Sequence, residues 1–265
     1  MENLLPHKRE RERGGEKFQG LVKKAFRIAV QLLLLSLLLF AGHSVYDYLL
    51  EDPYFCVKEV EIKGCQKIPQ EYLLGLAQIE GMPNLFTIAL GEISKRLESH
   101  PWIEEVTVRK VFPNKISIQV EERKPVAILQ LEDPYYIDNK GVIFAPVGDC
   151  DGYNYPFLTG LTRQTLEREP EQSQRLVMKA LELLGNLTQK KGSLLEEVSE
   201  IHMEKVFGIE CFTKNEGIEV RMGWDRFGEK LRRLSVIWSD LRKKGMMPVS
   251  IDCSDLKRMV VKNPS

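Results

Sequence analysis

The chain has 265 residues, long enough for one large domain or two small ones with cores of their own. Its 38 Lys and Arg residues are balanced by 38 Asp and Glu, so the broad basic field of a nucleic-acid binder is absent. An apolar fraction of 43% excludes wholesale disorder.

The charge is unevenly spread. Residues 1–27 hold eight basic side chains (Lys8, Arg9, Arg11, Arg13, Lys17, Lys23, Lys24, Arg27) against four acidic ones (Glu2, Glu10, Glu12, Glu16). This tail is poor in apolar residues and is expected to be flexible. Ile28 to Tyr46 then contains no Asp, Glu, Lys or Arg and centres on a leucine run from Leu32 to Phe40. At about 1.5 Å per residue its 19 residues reach about 28 Å, the hydrocarbon thickness of a bilayer. A buried core helix would show a polar face. A cleaved signal peptide would have a shorter tail and a small-x-small exit, whereas the exit here reads Gly42-His43-Ser44-Val45-Tyr46-Asp47. An uncleaved anchor is expected, with the basic tail in the cytoplasm and everything after about Tyr46 outside the inner membrane.

Asp47 to Pro53 reads as a juxtamembrane connector. Val57 to Ile62 alternates as a strand, with Val60 and Ile62 on one face, and Gly64 ends it. Pro69 suits the first turn of a helix whose apolar stripe is Tyr72, Leu73, Leu76 and Ala77. Gly81-Met82-Pro83-Asn84 breaks that helix, and a second covers roughly Thr87 to Ser99. Trp102 to Lys110 is a strand. After a turn at Phe112-Pro113-Asn114-Lys115 it forms a hairpin with Ile116, Ile118 and Val120 on the buried side. Strand, helix, helix, strand, strand is a compact α+β module.

From Pro125 short strands dominate: Val126–Leu131, Tyr135–Ile137 and Val142–Phe144, the last two joined by the turn Asp138-Asn139-Lys140-Gly141. Tyr155 to Gly160 is a crossover. An amphipathic helix at Glu171–Gln189 buries Leu176, Ala180, Leu183, Leu184 and Leu187. Strands return at Val198–Met203, Val206–Thr213 and Gly217–Met222. A helix at about Arg226–Lys244 buries Phe227, Leu231, Leu234, Ile237 and Leu241, and the chain closes with Val249–Cys253 and Lys257–Lys262.

Catalytic constellations are missing. The histidines are His7, His43, His100 and His202, and the two beyond the span fall on different predicted domains. No GxSxG, HExxH, P-loop or GxGxxG occurs, and acidic neighbours such as Glu104-Glu105, Glu121-Glu122 and Glu196-Glu197 read as solvated surface. The five cysteines (Cys56, Cys65, Cys150, Cys211, Cys253) include no CxxC. An odd number outside the membrane implies at least one free thiol or pairing between molecules. Cys56 and Cys65 flank a strand too long to let them bridge, and most of the five are expected to be buried as small apolar side chains.

Val60-Glu61-Ile62-Lys63-Gly64, then Trp102 to Lys110, then Phe112-Pro113-Asn114-Lys115 through Pro125-Val126-Ala127 together resemble the FtsQ-type POTRA domain. Tyr136 to Phe144, Pro156-Phe157-Leu158-Thr159-Gly160, Gly223-Trp224, Lys230-Leu231-Arg232-Arg233-Leu234 and Ile251-Asp252 resemble the β-domain that follows it in the FtsQ/DivIB cell-division family. The resemblance runs from about Asp47 to Lys262 and agrees with the tail-and-anchor layout. It implies an α+β chain with a cytoplasmic tail (1–27), a transmembrane helix (28–46), a linker (47–54), a POTRA module (55–124), a mixed β-rich domain with two amphipathic helices (125–262) and a short C-terminal tail (263–265).

The resemblance further implies a non-enzymatic, single-pass scaffold of the divisome, concentrated at the septum, that binds FtsB and FtsL and so influences septal peptidoglycan synthesis. Other divisome membrane proteins are further candidate partners. It implies no catalytic residue, cofactor, metal or small-molecule substrate. In the family the last strand of the β-domain presents an open edge to which an FtsB segment adds as a further strand. The equivalent strand here is Lys257-Arg258-Met259-Val260-Val261-Lys262, where basic residues bracket an apolar middle. Some family members carry a basic residue and an aromatic just before this strand. Here the turn reads Ser254-Asp255-Leu256, with no aromatic anchor. The POTRA module is a second expected docking surface, and the span lacks a GxxxG dimer motif. Two other functions are open to a POTRA-bearing chain. A polypeptide-transport component would need many further amphipathic strands and a cleavable signal. An anchored cell-wall hydrolase would need a catalytic pair in a cleft.

Overall fold

The computed structural model describes residues 7–148, 154–188 and 198–264, with the backbone alone up to residue 22 and at residue 25. Cys150 and the Glu196-Glu197 pair lie outside the described residues. The chain opens with one uninterrupted helix, α1 (His7–Glu51). Residues 7–27, expected to be flexible, therefore continue the helix of the apolar run. Lys, Arg and Glu are strong helix formers, and a helix already nucleated in the leucine run propagates into them at little cost. The 26-residue segment Phe26–Glu51 is long and apolar enough to cross a membrane, and none of it is buried within the protein.

The chain divides into two compact units. The first is built on a three-stranded sheet of β1 (Glu59–Lys63), β2 (Ile103–Val111) and β3 (Lys115–Glu122) in the order β1-β3-β2. β1 runs parallel to β3 and sets Val60 beside Ile116 and Ile62 beside Ile118. Two short helices, α2 (Gln70–Ala77) and α3 (Leu90–Glu98), supply Leu73, Ala77, Ile93 and Leu97 to a core that also holds Leu85, Ile116, Ile118 and Val120. Tyr72, expected in the stripe of α2, is 54% exposed. Leu73 and Ala77, four apart, face the core, whereas Tyr72, on the neighbouring line with the half-buried Leu76, is turned some 100° from Leu73. Gly64 leaves β1 at φ +90°, and a Cβ there would lie 2.1 Å from the Val120 carbonyl oxygen, so glycine is required.

The second unit contains the rest of the strands: β4 (Pro125–Gln130), β5 (Pro134–Asp138), β6 (Ile143–Pro146), β7 (Phe157–Thr159), β8 (Val198–Glu204), β9 (Gly208–Thr213), β10 (Glu219–Gly223), β11 (Ser250–Asp252) and β12 (Val260–Lys262). They form one nine-stranded sheet in the order β12-β11-β10-β9-β8-β7-β4-β5-β6. It is mixed: β7 runs parallel to both β4 and β8, and β10 parallel to β11. Three helices accompany it, α4 (Arg163–Arg168), α5 (Pro170–Thr188) and α6 (Phe227–Lys243). α5 and α6 bury Leu176, Ala180, Leu183, Leu231, Leu234 and Trp238 against Leu129, Leu158, Ile201, Ile209, Val220 and Ile251 of the sheet. The opposite face is covered at its β4–β6 end by Ile128, Tyr136 and Ala145 with Trp102 and Phe144. Lys67 caps this cluster, its Nζ 3.5 Å from the Trp102 ring centre.

Cys211 and Cys253 are fully buried, and burial pushes both thiols up, that of Cys253 to about 12, so they pack as protonated apolar groups. Lys230 lies in the buried face of α6, where the apolar stripe gave no warning of a charge. Its Nζ donates to the Met222 carbonyl at 2.8 Å and reaches Asp225 at 3.5 Å.

Candidate protein-docking edge

The predicted docking segment lies at the free end of the large sheet. β12 pairs with β11 in antiparallel register, Val260 beside Asp252, Val261 beside Ile251 and Lys262 beside Ser250. β11 is its one strand partner among the described residues, so the far edge of β12 offers backbone groups to a further strand. The strand is shorter than the sequence suggests: Val260, Val261 and Lys262 form it, while Lys257, Arg258 and Met259 precede it. Met259 and Val261 turn inward onto the core, and Arg258, Val260 and Lys262 are exposed. This two-residue alternation gives the segment one face anchored to the protein and one face open to solvent.

The turn before β12 explains the shortening. The Asp252 carboxylate accepts from the Ser254 N–H at 2.9 Å and from the Ser254 hydroxyl, and Asp255 accepts from the Lys257 N–H at 2.8 Å. These local side-chain bonds compete with the ladder and bend the chain. Leu256, which closes this turn without an aromatic, is buried, and its carbonyl accepts from the Arg233 guanidinium of α6. That clamp, which sequence reasoning missed, ties the turn to the helix. Around the edge, Met247 and Val249 are each about half exposed, and Val236 stands out on α6. The outer sheet face leading to it is polar. Arg221 of β10 lies between Glu210 and Asp252 on the flanking strands and bonds Glu210 at 3.1 Å and Glu219 at 2.7 Å.

Two other polar arrangements bear on chemistry. Thr159 Oγ1 donates to Glu200 at 2.6 Å and lies 2.8 Å from His202 Nδ1. The hydroxyl thus sits between carboxylate and imidazole, whereas hydroxyl activation needs the imidazole in the middle. A cleft of about 740 Å³ opens beside α5, lined by Arg168, Glu169, Arg175, Lys205 and Trp224, but its Lys205 is engaged with Glu169 at 2.5 Å. Among the described residues no group of three or more His, Cys, Asp or Glu side chains could hold a metal ion.

A single apolar helix followed by a small α+β module and a sheet domain that ends in the edge strand β12 defines a membrane-anchored protein with a surface suited to protein contacts. Comparison with known proteins narrows this. The profile of the FtsQ-type POTRA domain matches residues 55–123, and that of the cell division protein FtsQ/DivIB C-terminal domain matches residues 127–254. Cell division protein FtsQ of Geobacter sp. (strain M21) is 32% identical over 84% of this chain and 81% of its own length. Cell division protein FtsQ of Geotalea daltonii is 29% identical over 92% of this chain and 89% of its own, and cell division protein DivIB of Solibacillus silvestris 25% identical over 75% and 68%. The chain belongs to the FtsQ/DivIB family of cell division proteins. The C-terminal profile match ends at Ser254, ahead of β12.

Proposed function

We propose that this protein is a non-catalytic scaffold of the divisome, single-pass in the inner membrane with its N-terminus cytoplasmic and its folded units periplasmic, and concentrated at the septum. In this reading it binds the periplasmic segments of FtsB and FtsL. FtsB adds a strand to β12, contacting the exposed face of Lys257, Arg258, Val260 and Lys262, while Met259 and Val261 hold the strand to the core. The observation that carries the reading is the unpaired outer edge of β12 in a chain of this family. Backbone bonds along that edge would give affinity, and the alternating basic and apolar side chains selectivity.

The test is binding of the full chain, in detergent or nanodiscs, to a soluble FtsB–FtsL complex, beside Val260→Pro and Val261→Pro. Neighbouring residues of a strand turn their N–H groups to opposite edges, so the two prolines sample both. Loss of binding in the variant that keeps the native circular dichroism supports docking at β12. Retention of binding by both would move the site elsewhere.

A further inference from the structure

The last turn of α1 is held by a side chain from the first sheet unit. Asn84, 7% exposed, donates from Nδ2 to the carbonyls of Leu49 and Leu50, at 2.9 Å each, and its Oδ1 accepts from the Phe86 N–H at 2.9 Å. These are helix-end carbonyls that otherwise lack a partner. The bonds hang the 82–87 loop directly from the end of the membrane helix. The 3₁₀ turn Pro53–Phe55 joins the same junction, since the Leu85 N–H donates to the Phe55 carbonyl at 2.9 Å.

At this junction four aromatic rings touch in a row: Tyr54 to Phe55 at 5.3 Å, Phe55 to Phe86 at 5.3 Å, and Phe86 to Phe112 at 5.4 Å. Three of the four are open to the surroundings, Tyr54 being 57%, Phe86 40% and Phe112 56% exposed, while Phe55 is half-buried between Tyr54 and Phe86. Lys110 stands at the rim, its Nζ 3.4 Å from the Phe86 carbonyl. A contiguous exposed aromatic row on one face calls for a partner.

The length of α1 says which. Phe26–Glu51 is 26 residues, about 39 Å of helix, against a hydrocarbon core of about 30 Å. With the uncharged Ile28–Tyr46 run filling that core, Asp47–Glu51 stand in the headgroup layer. Asn84 holds the aromatic row to that same turn. Tyr favours the membrane–water boundary for its apolar ring and polar tip, and Phe buries its ring at the headgroup–acyl boundary beside basic side chains such as Lys110.

We propose that Tyr54, Phe86 and Phe112 form an interfacial anchor that inserts into the leaflet from which α1 emerges, pinning the first unit to lipid beside its span. The occupant is the bilayer surface, argued from continuity with the span and not from any protein partner. The anchor rests on α1 spanning the membrane, and the experiment separates the two.

The full chain is reconstituted without partners in phosphatidylcholine–phosphatidylglycerol vesicles, with or without lipid brominated near the top of its acyl chains or, for Leu38→Trp, which stands near mid-bilayer, near their ends. A tryptophan is introduced by Phe112→Trp, Phe86→Trp, Leu38→Trp within the span, or Phe207→Trp on the large sheet unit, with circular dichroism as the check on folding. The added emission is read as the difference from the native chain. We expect brominated lipid to lower it roughly twofold for Phe112→Trp and Phe86→Trp, an indole in the interface lying close to the upper acyl carbons. Phe207→Trp is expected to be unmoved. Quenching at Leu38→Trp without quenching at Phe112→Trp or Phe86→Trp, both open to aqueous acrylamide, would overturn the anchor alone. Absence of quenching at Leu38→Trp would overturn the span and the anchor with it.

Discussion

Replacing Asp138 by alanine should be among the most damaging single changes in the second unit. The residue is 1% exposed, and each carboxylate oxygen is engaged. Oδ1 accepts from the Lys140 N–H at 2.9 Å and the Val142 N–H at 2.8 Å, closing the turn from β5 to β6. Oδ2 accepts from Arg123 Nη1 at 2.5 Å. The Arg123 side chain is itself only 15% exposed, its Nη2 reaches the Ile103 carbonyl at 3.3 Å, and its Nε is buried without a partner. Alanine would strand a guanidinium in a largely dry site and free two turn N–H groups. Breaking a buried pair from one side costs about 3–5 kcal/mol. In a domain of this size that lowers Tm by roughly 10 °C. Asp138→Asn keeps a carbonyl for the turn and should lose less. The double variant Arg123→Ala/Asp138→Ala should lose clearly less than the sum of the singles, because the stranded charge is gone. Urea unfolding followed by the fluorescence of Trp102, Trp224 and Trp238, all in this unit, measures each. An Asp138→Ala protein within about 1 kcal/mol of the native chain would refute the reasoning, since even the lost turn bonds exceed that.

Lys230→Ala removes a buried donor from the Met222 carbonyl and leaves a cavity, and should cost about 3 kcal/mol in the same assay. Lys230→Met refills the space and should recover about half of it. Gly64→Ala meets the Val120 oxygen at 2.1 Å and a φ of +90°, and should lower stability by about 3 kcal/mol, seen as early loss of hydrogen-exchange protection in β1 and β3. Acid should weaken the Glu122 contact. Burial pushes that carboxyl up but is outweighed by the N–H groups of Ile68, Lys67 and Gln66 and by the Lys67 charge, so its pKa falls below the ordinary 4.5. A depressed folded pKa adds stability that is present above 4.5 and lost as pH falls through the lower folded value. Urea midpoints from pH 7 down to 3 should therefore show a shallower acid loss in Glu122→Gln than in the native chain.

The amphipathic helices were legible because their apolar positions repeat every three or four residues: Leu176, Ala180, Leu183 and Leu187 of α5 are all buried as read. The turn after β5 was legible from Asp138-Asn139-Lys140-Gly141, though its aspartate proved to be a buried ion-pair member as well. Three things were not legible. α4 holds one large apolar residue, Leu166, so no stripe marks it; its start is set by the capping box between Thr162 and Thr165. The insertion of β7 between β4 and β8 is a pairing of distant segments, which local pattern does not encode. Asn84 reads as a loop residue in a Gly-Met-Pro-Asn break, and its grip on Leu49 and Leu50 emerges only when α1 ends beside it. The docking segment was half legible. Its apolar middle and the turn near Ser254-Asp255 were found, but the late start of the strand at Val260 was not, because the Asp255 bond to the Lys257 N–H competes with a ladder that the pattern otherwise favours.

The two ends of the large sheet are treated differently, and the difference bears on function. β6, at one end, stops in Pro146, which has no N–H to offer, and its Ala145 is buried in the cluster around Tyr136 and Trp102. β12, at the other, has no proline within Val260–Lys262, carries Lys262 on its exposed face and is preceded by the exposed Arg258. Lysines and arginines at an edge disfavour indiscriminate pairing with a second copy, since like charges would then face one another, yet they leave the backbone free for a strand of complementary charge. Anchoring by Met259 and Val261, and the Arg233 clamp on the preceding turn, keep so short a strand extended before any partner arrives. A preformed edge loses less entropy on binding than a segment that must first be ordered, so in the proposed docking the order of the 254–262 region would serve affinity as well as fold.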